Sequence, residues 1–423
     1  MTATEKKTYR VEALGCRTNQ YEAQAFRDQL EAMGYEAAEA GQEATISIVN
    51  SCTVTESADS HSRHLVRDFI RQSPTSKVIV TGCLAERDPQ ILINITGVTH
   101  VVGNSQKEQL LNTVLPDEEI PEFSIKRFEA HTRAFVKVQD GCNSFCTYCI
   151  IPYVRGRSRS KSIDEVVKEV RTLVASGYKE VVLTGINIGD FDGNDPENPK
   201  KLVDLVREVD KIPGLERLRI SSIDPDEIDE ELQQAVLNGK TTCNSMHIVL
   251  QSGSNLVLRR MMRKYTRQQF MESVRRLVAQ DPDFTVTTDV IVGFPGETDS
   301  DFDETIDVLR TVQFAKVHMF PYSVRPRTRA ALYPNKVPHD VIQKRKAIVL
   351  RVAEEVGFAL RERFVGRTMT VITEDHDNTY LSGHTTNFLP VLIERKTFEP
   401  NQLLTVELVQ NTPKGLIGRV LVS

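Results

Sequence analysis

Short apolar runs and helically spaced apolar residues alternate through the first part of the chain, from about residue 8 to 120. Tyr9–Leu14 and Thr45–Val49 read as strands, and Lys77–Val80 begins a third. Between them, Glu22–Met33 and Ser60–Arg71 repeat apolar residues at helical intervals, with Phe26, Leu30 and Met33 on one face. The pattern predicts a small α/β sheet domain. From about 130 to 358 the same rhythm recurs in roughly six strand–helix units. Strands are expected at Ala134–Val138, Glu180–Leu183, Arg217–Ile220, Met246–Leu250, Thr285–Val292 and Ala315–Phe320. Ser162 and Glu165 form a capping-box pattern ahead of a helix that would bury Val166, Val170 and Leu173. Strands alternating with amphipathic helices imply a parallel sheet with helices outside. A long helix over Val337–Phe364 follows, and then short strands at Thr368–Thr373, Asn387–Ile393, Gln402–Val409 and Gly415–Leu421. These make a small all-β module.

Polar and sulfur-bearing residues collect at the carboxyl ends of these strands. The three N-terminal strands run into Gly15-Cys16, Asn50-Ser51-Cys52 and Gly82-Cys83. In open α/β sheets the loops at those ends form the ligand crevice, so cysteines far apart in sequence can converge there. Singly, each is as well read as a small buried hydrophobe; together, a metal site becomes the better reading. In the central segment the strand ends carry Thr184-Gly185-Ile186-Asn187, Ser221-Ser222, Gln251-Ser252-Gly253-Ser254 and Gly293-Phe294-Pro295-Gly296-Glu297. Glycine there lets backbone approach a ligand closely, or merely makes a turn.

The most specific signal is Cys142-Asn-Ser-Phe-Cys146-Thr-Tyr-Cys149. Three thiolates on one tight loop can ligate three irons of a cubane cluster and leave the fourth without a protein ligand. A zinc site would ask for a second cysteine pair or nearby histidines, and a disulfide would leave an odd thiol. The loop resembles the signature of radical S-adenosylmethionine (SAM) enzymes. That resemblance implies a [4Fe-4S] cluster on Cys142, Cys146 and Cys149 whose open iron chelates SAM. It also implies a 5′-deoxyadenosyl radical formed on one-electron reduction, and Tyr148 beside the adenine. By the same resemblance Gly185 and Asn187 would meet the SAM amino group, Ser222 and Gln251 the methionine or ribose, and Val292 and Gly293 the adenine.

Composition narrows the class. The chain has 423 residues, long enough for two or three domains, and is 40% hydrophobic and 26% charged. No apolar run approaches the roughly 20 residues that span a bilayer, and the first residues lack the apolar stretch of a signal peptide. Seven cysteines in such a chain point to a reducing cytoplasm and metal ligation rather than disulfides. A formal net charge of −5 means that any nucleic-acid surface must be local. The best basic runs are Arg155-Gly-Arg157-Ser-Arg159-Ser-Lys161 and Arg325-Pro-Arg327-Thr-Arg329, both beside the expected active face. Arg155, Arg157, Arg159, Arg325 and Arg327 are therefore expected to contact RNA, against the plainer reading of solvated charge. His247 and Cys243 read as ordinary partly or fully buried residues.

With both cysteine sets, the chain resembles the methylthiotransferase family across nearly its whole length. The local matches are Leu14-Gly-Cys-Arg-Thr-Asn-Gln-Tyr-Glu22, Asn50-Ser-Cys-Thr-Val54 and Thr81-Gly-Cys-Leu-Ala-Glu-Arg87. The stretch Gly383-His-Thr-Thr-Asn-Phe-Leu-Pro-Val391 and the closing Gly415-Leu-Ile-Gly-Arg419 resemble the TRAM domain, an OB-like RNA-binding barrel. Its charges here are balanced, Arg367, Arg395, Lys396, Lys414 and Arg419 against six carboxylates, which argues against a strongly basic RNA grip. The resemblance implies three domains: 6–120 holding an auxiliary cluster on Cys16, Cys52 and Cys83, 128–358 as a radical SAM core built as a partial (β/α)6 barrel, and 361–423 as the TRAM domain. It implies two [4Fe-4S] clusters, SAM, a low-potential electron donor such as flavodoxin or ferredoxin, and no membrane. Asn19-Gln-Tyr-Glu22, Leu183-Thr-Gly-Ile-Asn-Ile-Gly-Asp-Phe191 and Pro321-Tyr-Ser-Val-Arg325 look most like the branch that methylthiolates N6-threonylcarbamoyladenosine at position 37 of the tRNA anticodon loop. The isopentenyladenosine branch and a non-enzymatic iron–sulfur RNA-binding protein are the alternatives.

Overall fold

The computed structural model describes residues 7–128, 132–395 and 397–421. Lys396 and the last two positions of the expected TRAM domain lie outside the described residues. The chain forms two compact units. The first holds the described residues up to 128 with Gln139–Arg159 and Ser323–Ala331; the second holds residues 132–138, Ser160–Tyr322 and the described residues from Leu332 onward.

The first unit is built on five parallel strands in the order Glu36–Ala37, Thr8–Ala13, Ile46–Ser51, Lys77–Gly82, Val98–Val102. Every residue of Ile46–Ser51 is buried, as a central parallel strand covered on both faces requires. Phe26 and Leu30 of the helix Arg17–Ala32 pack with Val11, Ile48 and Ile79 on one face. Val66 and Phe69 of the helix Glu56–Gln72 pack with Val49, Val78 and Val80 on the other. Both helices begin several residues earlier than the apolar spacing predicts. Cys16, in extended conformation, is the N-cap of the first, and the Thr55 hydroxyl caps the second by accepting from Ala58 N.

The second unit carries the expected six parallel strands in two sheets. One runs Arg217–Ile220, Glu180–Thr184, Arg133–Lys137; the other runs Ser245–His247, Thr285–Val292, Lys316–Pro321. Single parallel bridges, Leu218 with Thr242 and Ile223 with Ile248, join the two into one succession. The capping box at Ser162 forms as expected, and Val166, Val170 and Leu173 are buried behind it. The helix His339–Glu362 buries Val349, Val352, Val356 and Leu360 and leads into a closed five-stranded barrel. Around that barrel run Thr368–Glu374, Tyr380–Thr385, Pro390–Glu394, Gly415–Val420 and Leu403–Thr412. Tyr380–Thr385 is a strand the sequence pattern missed. Its inward positions alternate, but they are Leu381, Gly383 and Thr385, so only one of them is strongly apolar.

Buried arginines dock this barrel onto the amino ends of the parallel strands. Arg217 donates to His384 O at 2.7 Å and Thr370 O at 2.7 Å, and Arg219 to Thr385 O at 2.8 Å and Thr386 O at 2.9 Å. Glu180 takes the Arg219 Nε at 2.6 Å. Burial opposes ionisation of Glu180, but Arg219, Arg133 and Arg217 outweigh it and hold the carboxyl below its ordinary pKa. Cys243 is buried beside this network, and its thiol is pushed up in pKa by desolvation. The barrel thus occupies the end of the sheet away from the strand termini where the candidate site residues lie. Among the described residues, no helix is long and apolar enough to cross a membrane.

Candidate active site

The first unit contains both cysteine sets. Cys16, Cys52 and Cys83 each follow a strand of the sheet, and the thiols lie near enough to feel one another's charge. Burial pushes the Cys52 thiol up to about 12, with Cys83 and Cys16 adding to the rise. Desolvation is the main cause that raises the Cys16 thiol pKa, with Cys83 adding to the rise and Arg155 opposing it. Gly15 explains the close approach. Its φ of +89° belongs to glycine, and a Cβ there would stand 2.6 Å from Cys52 Sγ.

The loop Cys142–Cys149 is turned by backbone bonds from Cys142 N to Gly156 O (3.1 Å) and from Cys149 N to Cys146 O (3.0 Å). Gly141, at φ +72°, leaves room for Arg157 O, which a Cβ would meet at 2.0 Å. None of the seven cysteines forms a disulfide. Among the described residues, no three His, Cys, Asp or Glu side chains are placed to share one metal ion. A cubane asks for something different: one soft thiolate on each of three separate irons. Two sets of three thiols, one at the ends of three strands and one on a tight loop, fit that donor requirement, and each would leave one iron of a cubane without a protein ligand.

The arginine-rich runs divide in a way that charge alone did not reveal. Arg155, expected at the RNA surface, is instead buried, with its side chain 0% exposed. It bonds Asp140 at 2.8 Å, Glu22 at 3.1 Å and Asn19 Oδ1 at 2.5 Å. Glu22 in turn takes buried Lys107 at 2.7 Å and Asn50 at 3.0 Å. Arg325, expected at the same surface, is also buried; it bonds Asp59 at 2.7 Å, and Arg87 reaches the same carboxylate oxygen at 2.7 Å. Each lost its surface role because a carboxylate remote in sequence claims it. Arg157, Arg159 and Arg327 are exposed. Arg157 lies over the Phe145 ring at 4.4 Å, and Phe145 meets the exposed Tyr153 edge-on. Arg159 holds Asp140 at 2.8 Å. Ala330 N, from the 323–331 segment, donates to Thr147 O at 2.9 Å inside the cysteine loop. Tyr148 is half-buried in that loop.

In the second unit, the other expected residues stand at the carboxyl ends of the parallel strands. Ser221 Oγ and Gln251 Oε1 are buried there with no hydrogen-bond partner, and Gln251 adopts φ +61°. Orphaned acceptors at strand ends suit a polar ligand such as SAM. Ser222, next to Ser221, and Gly185, just past the end of Glu180–Thr184, are half-buried. Asn187 donates to Glu227 Oε1 at 2.9 Å, and burial, with Asp224 nearby, raises that carboxyl to about 7. Sequence reasoning missed Glu227 because an acid in a polar turn carries no local mark. Val292 is fully buried and the Gly293 N–H is spent on Glu297 at 2.7 Å, so neither the Val292 side chain nor that N–H is available to a ligand. His247 is a partnered strand residue, bonded to Thr287 at 2.9 Å with Asp289 at 3.3 Å.

Comparison with known proteins accords with this arrangement. The model of the Radical SAM superfamily matches residues 136–309, and that of the Uncharacterized protein family UPF0004 matches residues 8–103. Threonylcarbamoyladenosine tRNA methylthiotransferase MtaB of Chlamydia pneumoniae is 45% identical, the match covering 99% of this chain and 100% of that protein. The chain belongs to the radical SAM methylthiotransferase family. Bacillus subtilis MtaB is 35% identical over 90% of this chain and 89% of its own length. A tRNA-2-methylthio-N(6)-dimethylallyladenosine synthase of Finegoldia magna is 31% identical over 98% of this chain and 94% of its own. Among solved structures, the radical SAM methyltransferase TsrM from Kitasatospora setae aligns with a TM-score of 0.57 at 14% identity, covering 89% of this chain and 81% of that one. That likeness concerns the fold alone. Membership makes this methylthiotransferase an enzyme that binds SAM and a [4Fe-4S] cluster.

Proposed function

We propose that the chain methylthiolates C2 of N6-threonylcarbamoyladenosine at position 37 in the anticodon loop of tRNA, using SAM and two [4Fe-4S] clusters. The observation that carries this reading is the pair of cysteine triads in one unit, each short of a fourth protein ligand. Higher identity to the MtaB relatives than to the dimethylallyladenosine synthase supports the substrate. When bound, the clusters and SAM would supply one-electron transfer, hydrogen-atom abstraction from carbon, the methyl group and an iron on which the sulfur to be transferred is held.

The residues of the chain hold and orient. Cys142, Cys146 and Cys149 hold one cluster, and Cys16, Cys52 and Cys83 the other. Ser221, Ser222, Gln251, Gly185 and Asn187 hold SAM. Exposed Arg157, Arg159 and Arg327 contact phosphate, and Tyr153 and Phe145 offer rings on which unstacked bases rest. A low-potential donor such as flavodoxin or ferredoxin delivers the electron. The test is anaerobic turnover of the reduced, reconstituted chain on an anticodon stem–loop carrying N6-threonylcarbamoyladenosine, with nucleosides resolved by mass spectrometry. The 2-methylthio derivative is the expected product. Faster product formation on an isopentenyladenosine stem–loop would overturn the substrate, and absence of SAM cleavage under reduction would overturn the radical chemistry.

A further inference from the structure

Arg155 has one donor the ion-pair network does not use. Its Nη1 and Nη2 bond Glu22, Asp140 and Asn19, but its Nε–H is buried without a partner. An orphaned buried guanidinium donor is costly unless something absent from the bare protein accepts from it. The surroundings identify that acceptor. Arg155 ends the short helix Ile151–Val154, whose Val154 packs with Ile150 against Cys83. Asn104 Nδ2 donates both to Val154 O at 2.6 Å and to Cys83 Sγ at 3.8 Å. Asn19, which accepts from Arg155, sits one helical turn after Cys16. The guanidinium lies within electrostatic reach of the Cys16 and Cys83 thiols.

We infer that Arg155 is a positioning residue for the N-terminal cluster, its Nε–H donating to a cluster sulfur, either a cysteine thiolate or an inorganic sulfide. A cation and a hydrogen bond at sulfur favour the more negative, reduced cluster and so raise its reduction potential. The residue follows Cys149 by six positions, so the segment that carries one cysteine triad supplies part of the wall of the other. This rests on the proposal that Cys16, Cys52 and Cys83 hold a cluster.

The test uses a chain carrying Cys142→Ala, Cys146→Ala and Cys149→Ala, so that the N-terminal cluster reports alone in an EPR-monitored redox titration. Arg155→Met removes the donor and the charge. Because that leaves Glu22 and Asp140 less compensated, Glu22→Gln with Arg155→Met is titrated as well, against Glu22→Gln alone. The expected result is a midpoint shifted to more negative potential in each Arg155 variant relative to its own reference, with iron retained. An unchanged midpoint in the iron-loaded double variant would overturn the inference. If the triple-alanine parent binds no iron, the cluster reading itself has failed and takes the inference with it.

Discussion

Arg325→Ala separates a buried structural cation from an RNA contact. Arg325 Nη1 bonds Asp59 Oδ2 at 2.7 Å and Thr53 O at 3.4 Å, with its side chain 4% exposed. Asp59 keeps Arg87 at 2.7 Å and the Thr53 hydroxyl at 2.5 Å after the substitution. The largest single loss is the charge-assisted bond to Asp59, about 1.5–3 kcal/mol, to which the lost bonds to Thr53 O, Val324 O and Ser323 Oγ add. Asp59→Asn removes the only carboxylate that both arginines share in these bonds and should cost about 3–5 kcal/mol, as breaking a buried ion pair does. Native-state hydrogen exchange reads the local effect directly, since each 1.4 kcal/mol is about tenfold in an opening equilibrium. Amides of Ser323–Ala331, including Ala330 bonded to Thr147 O, should exchange about ten- to a hundredfold faster in Arg325→Ala. Arg327→Ala, at an exposed position, should leave that exchange alone and weaken tRNA binding with a shallower salt dependence. The reasoning is refuted if Arg325→Ala leaves exchange unchanged while tRNA affinity falls.

Three further outcomes follow from the same geometry. Glu227, raised to about 7 by burial and by Asp224, binds its proton more tightly when folded than unfolded. Its contribution to stability should therefore be full below the ordinary carboxyl range and fall by roughly 3 kcal/mol as pH rises to about 7. Denaturation midpoints across that range should flatten in Glu227→Gln, and an unaltered slope would contradict the assignment. Arg219→Met removes the closest of the cations around buried Glu180 and two hydrogen bonds to the barrel, at a cost of about 3 kcal/mol. Proteolysis within residues 370–390 should accelerate accordingly, and an unchanged cleavage rate would count against arginine docking. Gly15→Ala places a Cβ 2.6 Å from Cys52 Sγ at a φ of +89°, so it should deplete the iron proposed on the N-terminal triad and spare that on Cys142, Cys146 and Cys149. Iron analysis showing full loading would refute that.

The legible parts of this protein were those with local signatures. The parallel strands show as apolar runs, and the cysteines mark their ends because three strands terminate within three positions of Cys16, Cys52 and Cys83. The capping box at Ser162 is likewise contained in four residues. What stayed hidden depends on partners distant in the chain. Arg155 and Arg157 belong to one basic run, yet Glu22, 133 positions away, buries the first while the second stays exposed. Arg325 is claimed by Asp59 at a separation of 266 residues. The strand Tyr380–Thr385 eluded the pattern because Gly383 and Thr385 fill inward positions without apolar bulk. The barrel's site at the amino ends of the strands depends on Arg217 and Arg219 reaching carbonyls more than 150 residues away, which no run of sequence displays.

The central claim is that two independent cysteine triads hold two clusters, and anaerobic iron counting tests it most directly. Iron and sulfide are reconstituted into the parent chain and into the variant with Cys142, Cys146 and Cys149 all changed to Ala. The account predicts about eight irons per chain falling to about four. About four falling to none would contradict it, leaving Cys16, Cys52 and Cys83 without a cluster.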